Sequence, residues 1–395
     1  MNSIEVIQVE NQHAWDEYVA NSLAANPYHC YDWQQAIKDT YGHQTYAMAA
    51  IGEQHPSSPQ SLSQSTRDIA GILPLVHINS YIFGNQLVSM PFFDHGGVLS
   101  DNQAVEKKLI DSAIEMGRKL KVRSIELRHL VKLTCLPHHE GPSEIQSKDQ
   151  ATPTTFEYSQ PPYLEGISAK WSMQSHKVRL LMNLPSSSEL LMKGFKSKLR
   201  SQINRPIKEG LIAIIGGIEL IDDFYQVFCA NMRDLGSPVH AKAFPRSVVQ
   251  HFSEKAKIVV VYYGQKPIAA SIMVGFKELM INPWASSLRQ FSRFSANMLL
   301  YWTMLSYACD HGFKSFDFGR STPDEGTYRF KTQWGAEPQN MYWYSIWLGN
   351  SLPPITINTE GTMRKNRAIA ELAWQRLPLS VTKWIGPLIR KYISL

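Results

Sequence analysis

The sequence has no uninterrupted apolar run of the roughly 18 residues that a membrane-spanning helix needs. Its first ten residues hold neither a basic cluster nor an apolar stretch, so no signal peptide is expected. The few cysteines are scattered, without a Cys-x-x-Cys pair: Cys30, Cys135, Cys229 and Cys309. This spacing excludes a disulfide framework and a cysteine zinc site, and it fits a reducing compartment. We therefore expect a cytoplasmic protein with no metal ion in its site.

Acidic residues are almost missing from the C-terminal end. Residues 361–395 contain seven basic residues and one acidic residue, Glu371, whereas the rest of the chain carries equal numbers of both. The net charge of +6 therefore belongs to this end, and the balanced remainder argues against a DNA-binding or general RNA-binding protein. Aromatic and aliphatic residues alternate with the cations in this end. It either packs on the body of the protein or lies on an anionic inner-membrane surface.

At 395 residues the chain is long enough for two domains, and two parts of it repeat one order of elements. Hydrophobic periodicity predicts strand, helix and strand in each half. In the first half these are residues 68–75, 104–120 and 122–127, and in the second half 267–273, 296–310 and 313–318. The repeated order predicts an α/β protein made of two related domains in tandem.

The domain limits follow from this repeat. We expect a first domain at 1–185, a second at 186–355, and a basic amphipathic tail at 356–395. Residues 52–68 and 140–165 are rich in polar residues and proline and lack periodicity, so they are expected to be loops. A basic stretch at 193–208 is either a solvated helix face or a seat for RNA or a phosphorylated substrate.

Chemically useful side chains concentrate at the end of the second repeat. Asp317 lies in the last strand, a glycine follows at position 319, and Tyr328 and Lys331 come soon after. If their segment is helical, the tyrosine and the lysine are neighbours on one side. Ligands bind at strand ends in α/β sheets, so the second domain is expected to carry the active site. Taken singly, each of these residues also fits a structural role.

These residues carry a resemblance to a known family. Residues 297–302, 308–321 and 326–338 resemble the FemAB-related family, and more narrowly its branch associated with exosortase (PEP-CTERM) sorting systems. Shorter upstream pieces agree, among them Tyr31-Asp32-Trp33 and the stretch at 90–97. The resemblance implies an α/β fold of two tandem GNAT-like acyltransferase domains with mixed sheets. Fem-type members transfer an amino acid from aminoacyl-tRNA to the peptide of a cell-wall precursor.

The resemblance also bears on the donor and the acceptor. The donor would be aminoacyl-tRNA or acyl-CoA, with no tightly bound cofactor, and the acceptor a peptidoglycan-related or exopolysaccharide-related envelope precursor, free or lipid-linked. The GNAT pyrophosphate signature is absent from residues 289–296. A loop poor in glycine cannot bring its amides close to phosphates, which disfavours acetyl-CoA and leaves Arg289 and Arg293 as candidate phosphate contacts.

The resemblance assigns expected roles to the site residues. Lys331 matches the lysine of the family's Tyr-x-Phe-Lys motif and would hold a donor phosphate or the oxyanion. Tyr328 would protonate the leaving group, and Asp317 would accept the acceptor's proton or, alternatively, order the glycine loop. The expected substrate-positioning residues are Arg320, Asn297, Trp284, Asp94 and His95.

Two function classes follow. No Ser-His-Asp or Cys-His arrangement is legible, which favours direct transfer over a covalent intermediate. The first hypothesis is therefore an acyl- or aminoacyltransferase acting on an envelope precursor. The alternative is a catalytically silent binding or tethering protein of an envelope assembly or protein-sorting system.

Overall fold

The structure is a computed structural model that describes residues 4–52, 69–136, 169–349 and 368–394. Apart from Gly52, the loops expected at 52–68 and 140–165 lie outside the described residues. The strands are β1 Glu5–Gln8, β2 Gln44–Ile51, β3 Ile69–Ser80, β4 Gly84–Val88, β5 Leu99–Ser100, β6 Ser124–His129, β7 Ala169–Gln174, β8 Val178–Asn183, β9 Leu211–Gly216, β10 Ala256–Tyr263, β11 Lys266–Phe276, β12 Leu279–Ser287, β13 Ser315–Ser321, β14 Glu337–Asn340 and β15 Tyr342–Leu348. The α-helices are α1 Gln12–Asn21, α2 Tyr31–Tyr41, α3 Gln103–Lys119, α4 Ser188–Gly194, α5 Ser197–Lys208, α6 Ile221–Asp234, α7 Ala243–Phe252, α8 Ala296–Asp310, α9 Gly326–Thr332 and α10 Leu379–Arg390.

Two mixed sheets share one strand order. The first runs β1-β2-β3-β4-β6-β15-β7, and the second runs β9-β10-β11-β12-β13-β8-β14. In each sheet the fourth and fifth strands are parallel and are joined through a helix, α3 or α8, while the other neighbours along these orders are antiparallel. The register also agrees, because Val88 pairs with Glu126 in one sheet and Ile281 with Asp317 in the other. The predicted duplicated α/β plan is therefore confirmed.

Local sequence explains the elements that the repeat predicts. The Asn102 side chain caps α3 by accepting a hydrogen bond from the Val105 amide, and Val105, Leu109 and Ala113 make its buried stripe. Helix α8 has the predicted limits and is buried on most of its circumference. The last strand of the repeat differs, since β13 extends to Ser321 where 318 was the expected end. The extension forms because Arg320 and Ser321 pair with β8, which periodicity alone does not reveal.

The last strand but one of each sheet, β15 in the first and β8 in the second, comes from the other half of the chain. After β7 in the first sheet the chain crosses to β8 in the second, and after β14 in the second sheet it crosses back to β15 in the first. The expected limit at residue 185 therefore does not separate the sheets, because β8 precedes it and β15 follows it. Each sheet is completed by strands from both halves.

We expect neither half to fold alone. A fragment of residues 1–185 lacks β15 between β6 and β7, and a fragment of residues 186–395 lacks β8 between β13 and β14. Each loss leaves two strand edges unpaired inside a sheet. Thermal unfolding followed by circular dichroism should show a cooperative transition for the full chain and none for either fragment. A cooperative transition in an isolated fragment would contradict this expectation.

An aromatic core joins the two domains. Trp33 packs against Phe93 at 4.4 Å and against Phe252 at 4.6 Å between ring centroids, and Phe244 lies 5.6 Å from Trp284. These rings belong to one buried cluster that extends through both halves. A large apolar interface of this kind opposes free motion of the two domains.

The C-terminal segment packs on the body. In α10, Thr382 and Gly386 are buried, and the helix lies against α6. Backbone carbonyls after α10 then face the body as acceptors, since the Phe92 amide donates to the Ser394 oxygen at 2.6 Å and His43 Nε2 lies 2.7 Å from the Lys391 oxygen. The described part of this end, residues 368–394, thus packs on the body, while Trp384 and Leu388 of α10 stay exposed. In the described ranges, no helix has both the length and the apolarity of a membrane span.

Candidate active site

The parallel strands of the second sheet separate at their carboxyl ends. β12 and β13 pair at three positions only, from Leu279 with Ser315 to Ile281 with Asp317. Both strands continue beyond this point, to Ser287 and Ser321, and β13 takes an irregular register against β8. The backbone therefore opens directly after Asp317. Openings of this kind at the carboxyl edge of parallel strands are where α/β proteins bind ligands.

Asp317 is the centre of a buried polar network. Its Oδ1 accepts the Gly319 amide at 2.7 Å, and its Oδ2 lies 3.4 Å from Arg179 Nη1 and 3.8 Å from His95 Nε2. Burial alone raises the pKa of this carboxyl, but His95, Arg179 and the Gly319 amide together outweigh burial and hold the pKa below its usual value. Asp317 is therefore an ionised carboxylate at neutral pH, although it is only 3% exposed.

His95 brings the first domain into this network. Its imidazole is buried, and burial, the largest influence, lowers its pKa despite the nearby Asp317 carboxylate. The ring is therefore neutral at pH 7. Its Nε2 makes a long polar contact of 3.8 Å with Asp317 Oδ2, through which the neutral ring still stabilises the carboxylate. Nδ1 is buried and has no hydrogen-bond partner among the described residues, and Tyr28 packs edge-on against the ring at 4.8 Å.

Asp94 ties the two domains together at the same place. Its Oδ2 accepts the Arg320 amide at 3.0 Å, and its Oδ1 lies 3.4 Å from Arg320 Nε. The Trp343 indole N–H donates to the Asp94 carbonyl at 3.0 Å, and the Arg320 guanidinium lies 5.1 Å from the centre of that indole. The loop after Asp317 is thus held from the opposite domain.

Lys331 of α9 also holds the loop that follows Asp317. The segment is helical, which is the condition set for Tyr328 and Lys331 to be neighbours, and α9 directs the Lys331 ammonium to the carbonyls of Gly319 at 3.2 Å and Arg320 at 2.9 Å. Gly319 has a φ of +74°, a conformation that favours glycine and turns these carbonyls toward the lysine. Burial lowers the pKa of Lys331 to about 8, although Asp94 and Asp317 oppose the shift. The ammonium is thus close to its titration range at physiological pH.

The other side of α9 anchors the helix. The rings of Phe330 and Trp334 lie 5.0 and 6.4 Å from the ring of Tyr301, as expected for residues four apart on the apolar side. Tyr328 is half-buried and packs against the core of the second domain. It lies one helical turn before Lys331, on the side of the helix that bears the lysine.

The remaining candidates lie apart from this network. Trp284 is half-buried and packs against the aromatic core between the domains, with Phe93 and Phe244 as neighbours. Asn297 is half-buried in the first turn of α8. Arg289 and Arg293 are exposed on the 3₁₀ helix at Arg289–Phe294 that precedes α8, and Arg293 stacks on Phe294.

Sequence reasoning missed Arg179, Trp343 and Arg128. Arg179 interrupts the apolar run of β8, a signal that could have marked it as a partner for a buried acid. Arg128 is fully buried, and its Nε donates to Glu126 Oε1 at 2.6 Å. Glu126 has the register position in the first sheet that Asp317 has in the second. Both repeats therefore pair a carboxylate at this position with an arginine, but only the second adds the lysine and the glycine loop.

The described part of the chain contains no group of three or more His, Cys, Asp or Glu side chains that could hold a metal ion. The candidate site therefore consists of Asp94 and His95 from the first domain and Asp317, Arg320 and Lys331 from the second. Arg179 belongs to it as the ion-pair partner of Asp317. This arrangement offers an ionised carboxylate, a neutral imidazole and a titratable ammonium around one opened strand end.

Comparison with known proteins supports the description of the fold. Residues 194–332 match the model of the acetyltransferase (GNAT) domain family. The structure is similar to that of FemX, with a TM-score of 0.59 and 14% identity over 88% of this chain and 98% of that chain. It is also similar to a tandem GNAT protein from the clavulanic acid biosynthesis pathway, with a TM-score of 0.50 and 10% identity over 89% and 99% of the two chains. No curated protein is significantly similar in sequence. The fold is thus two GNAT-like domains in tandem, and the matched segment contains Asp317 and Lys331.

Proposed function

We propose that this protein is an acyl- or aminoacyltransferase that acts on a cell-envelope precursor by direct transfer from an activated donor. One observation carries the proposal: the opened end of the β12–β13 pair collects the Asp317 carboxylate and the Lys331 ammonium against Asp94 and His95 of the other domain. Acyl transfer needs a proton acceptor, a group that stabilises the oxyanion and a proton for the leaving group.

Asp317 is the proposed proton acceptor. Its pKa is held low, so it is ionised when the acceptor's amine or hydroxyl arrives and takes the proton directly or through one water. The nucleophile then forms its bond to the acyl carbon, and the tetrahedral oxyanion collapses as the bond to the donor's oxygen or sulfur breaks. Tyr328 supplies the proton to that leaving atom, and it regains one from solvent.

Lys331 is the proposed cation for the donor phosphate or the oxyanion. An ammonium has three N–H donors, and the described contacts occupy two of them with the Gly319 and Arg320 carbonyls. The third is available to a ligand in the opening. Arg320, Asn297, Asp94 and His95 complete the proposed substrate-positioning set.

The donor and the acceptor are argued from resemblance. Likeness to FemX in fold and the FemAB-type motif favour aminoacyl-tRNA as donor, with acyl-CoA as the second candidate. Arg289 and Arg293, exposed before the first turn of α8, are the proposed phosphate contacts for either donor. The proposed acceptor is a peptide amine or glycan hydroxyl of an envelope precursor, free or lipid-linked, in the cytoplasm. The motif also favours a role beside an exosortase (PEP-CTERM) system.

Donor use tests the proposal. Purified protein is incubated with labelled aminoacyl-tRNAs or labelled acyl-CoAs and with membrane extract as acceptor. The Lys331→Ala variant serves as the inactive comparison, and Lys314→Ala, an exposed lysine at the start of the β13 region, as its matched control. Transfer of label from tRNA that is lost in Lys331→Ala and kept in Lys314→Ala identifies a Fem-type enzyme. Transfer of label from acyl-CoA identifies a GNAT-type enzyme. Absence of transfer from both donors would favour the tethering alternative.

The lowered pKa of Lys331 predicts an early alkaline limit to activity. If the charged ammonium is needed, kcat/KM should fall as pH rises through about 8, well before the ordinary lysine value of 10.5. The pH dependence of kcat/KM reports groups of the free enzyme, so it is the quantity to measure. In Lys331→Arg, whose side chain stays charged, this alkaline decrease in kcat/KM should disappear. A wild-type profile that stays flat beyond pH 9.5, far above the value of about 8, would contradict this role for the ammonium.

A further inference from the structure

We propose that the turn between β3 and β4, together with the turn between α3 and β6, forms a docking surface for an anionic phospholipid bilayer. This hairpin-tip surface consists of Tyr81, Ile82, Phe83, Arg118, Lys119, Lys121 and Arg123. It is separate from the transfer site and from the C-terminal helix, and its test needs no transferase assay.

The tip exposes three consecutive large apolar side chains. Tyr81 is 111% exposed, Ile82 86% and Phe83 43%. Elsewhere in the described ranges the large exposed apolar residues form at most spaced pairs on one face, such as Ile212 with Ile214 and Trp384 with Leu388, and no second run of three consecutive ones occurs. Scattered single residues are normal on a protein surface, but a contiguous protruding group indicates an interaction site.

The turn holds these side chains in a defined geometry. Ser80 Oγ accepts hydrogen bonds from the amides of Ile82 and Phe83 at 3.3 and 3.2 Å. The strands close directly below, where Ser80 pairs with Gly84. Because the free protein already orders the turn, docking costs little conformational entropy there.

The cations are fixed against the base of the same hairpin. Asn85 Nδ2 donates to the carbonyls of Leu120 and Lys121, each at 3.1 Å, and the Arg123 amide donates to the Asn85 carbonyl at 2.9 Å. The four cations of the surface are all exposed. Residues 77–88 and 116–123 contain no acidic residue. Glu115 lies one helical turn before Arg118 and Lys119, so the four cations keep an excess of three positive charges over this one acid beside the apolar tip.

Charge complementarity selects the occupant. Aromatic side chains favour the boundary between headgroups and acyl chains, and lysine and arginine are attracted to anionic headgroups. A neutral protein groove would satisfy the tip and leave the cations without a role. The tip is also placed suitably, because β4 runs from it for five residues, roughly 15 Å, before the chain turns toward Asp94. A docked tip therefore leaves the transfer site uncovered.

Vesicle co-sedimentation of the full chain tests the proposal. The probes are vesicles that contain phosphatidylglycerol and vesicles of phosphatidylcholine alone. We expect binding to the anionic vesicles, weakened by salt, and a loss of about tenfold or more for the variant Y81S/I82S/F83S. The matched control L23S/L190S/I212S removes three exposed apolar residues elsewhere and should bind as the wild type does.

The charge contribution is tested in the same assay. Each cation near an anionic surface contributes about fivefold to binding, so R118Q/K119Q should bind roughly 25-fold more weakly. K196Q/K198Q removes the same charge from exposed positions of the α4–α5 region and should change little. If both variants lose the same amount of vesicle binding, only the net charge of the protein matters, and the proposal is overturned.

Two further outcomes also overturn it. If Y81S/I82S/F83S binds as the wild type and W384S/L388S does not, the membrane contact belongs to the exposed face of α10. If Y81S/I82S/F83S instead converts a dimer to a monomer in size-exclusion chromatography, the tip is a self-association surface. Thermal unfolding of each variant confirms that it is folded, which is expected because the replaced side chains are exposed.

Discussion

Replacing Asp317 with asparagine is expected to lower kcat/KM by about 10²- to 10⁴-fold, the usual contribution of a general base. The amide keeps the shape of the carboxylate and can still accept the Gly319 amide, which now lies 2.7 Å from Oδ1. It cannot take a proton from an incoming amine or hydroxyl. The loss should therefore appear in kcat more than in KM.

The first sheet supplies a matched control. Glu126 has the same register position, and it too is paired with a buried arginine. Glu126→Gln and Asp317→Asn each remove a carboxylate charge beside a guanidinium. Removing one partner of a fully buried ion pair costs about 3–5 kcal/mol of stability. The cost should be smaller for these two pairs, because each keeps some solvent exposure. Both variants should be less stable than the wild type, but only Asp317→Asn should lose transferase activity.

The control also decides between the two roles considered for Asp317. If it only orders the glycine loop, Asp317→Asn should keep a kcat within about tenfold of Glu126→Gln, since the bond to the Gly319 amide survives. The proton acceptor would then lie elsewhere, with His95 as the first candidate because its neutral ring has a buried nitrogen that no described residue contacts by a hydrogen bond.

Much of the fold was legible because its signals are local. The limits of α8 and the β10–β11 hairpin follow from apolar periodicity and turn residues over a few positions. The exchange of β8 and β15 was not legible, because an alternating strand does not specify which of two similar sheets it joins. That choice is set by partners more than a hundred residues away, as in the pairing of Tyr344 with Leu127.

The candidate site could also be predicted from the sequence only in part. Asp317 and Lys331 could be proposed from a short motif, but the role of Arg179 depends on the exchanged strand that brings it within 3.4 Å of Asp317. The contact between Asp94 and the Arg320 amide joins residues 226 positions apart. Burial decides the electrostatics, and a linear sequence does not show that Lys331 is only 8% exposed.

Lys331→Met is expected to reduce kcat/KM by about 10²- to 10³-fold, comparable with the loss of one oxyanion donor. The thioether matches the length of the lysine stem but removes the charge and the donors. The carbonyls of Gly319 and Arg320 also lose their partner, which costs about 1–3 kcal/mol for each one left unsatisfied. Lys314→Met, at an exposed position, should change neither activity nor the free energy of unfolding.

The pH dependence separates the structural role of Lys331 from the chemical one. Its pKa is about 8 in the folded protein and near 10.5 when unfolded, so between these values the unfolded chain binds more protons and stability rises with pH. The advantage of the wild type over Lys331→Met in free energy of unfolding should therefore increase from pH 8 to 10.5. Its advantage in kcat/KM should decrease over the same range, because the ammonium is lost. Opposite trends, measured by denaturant unfolding and by initial rates, would identify a charge that serves the reaction while costing stability. Parallel trends would assign Lys331 to the loop alone.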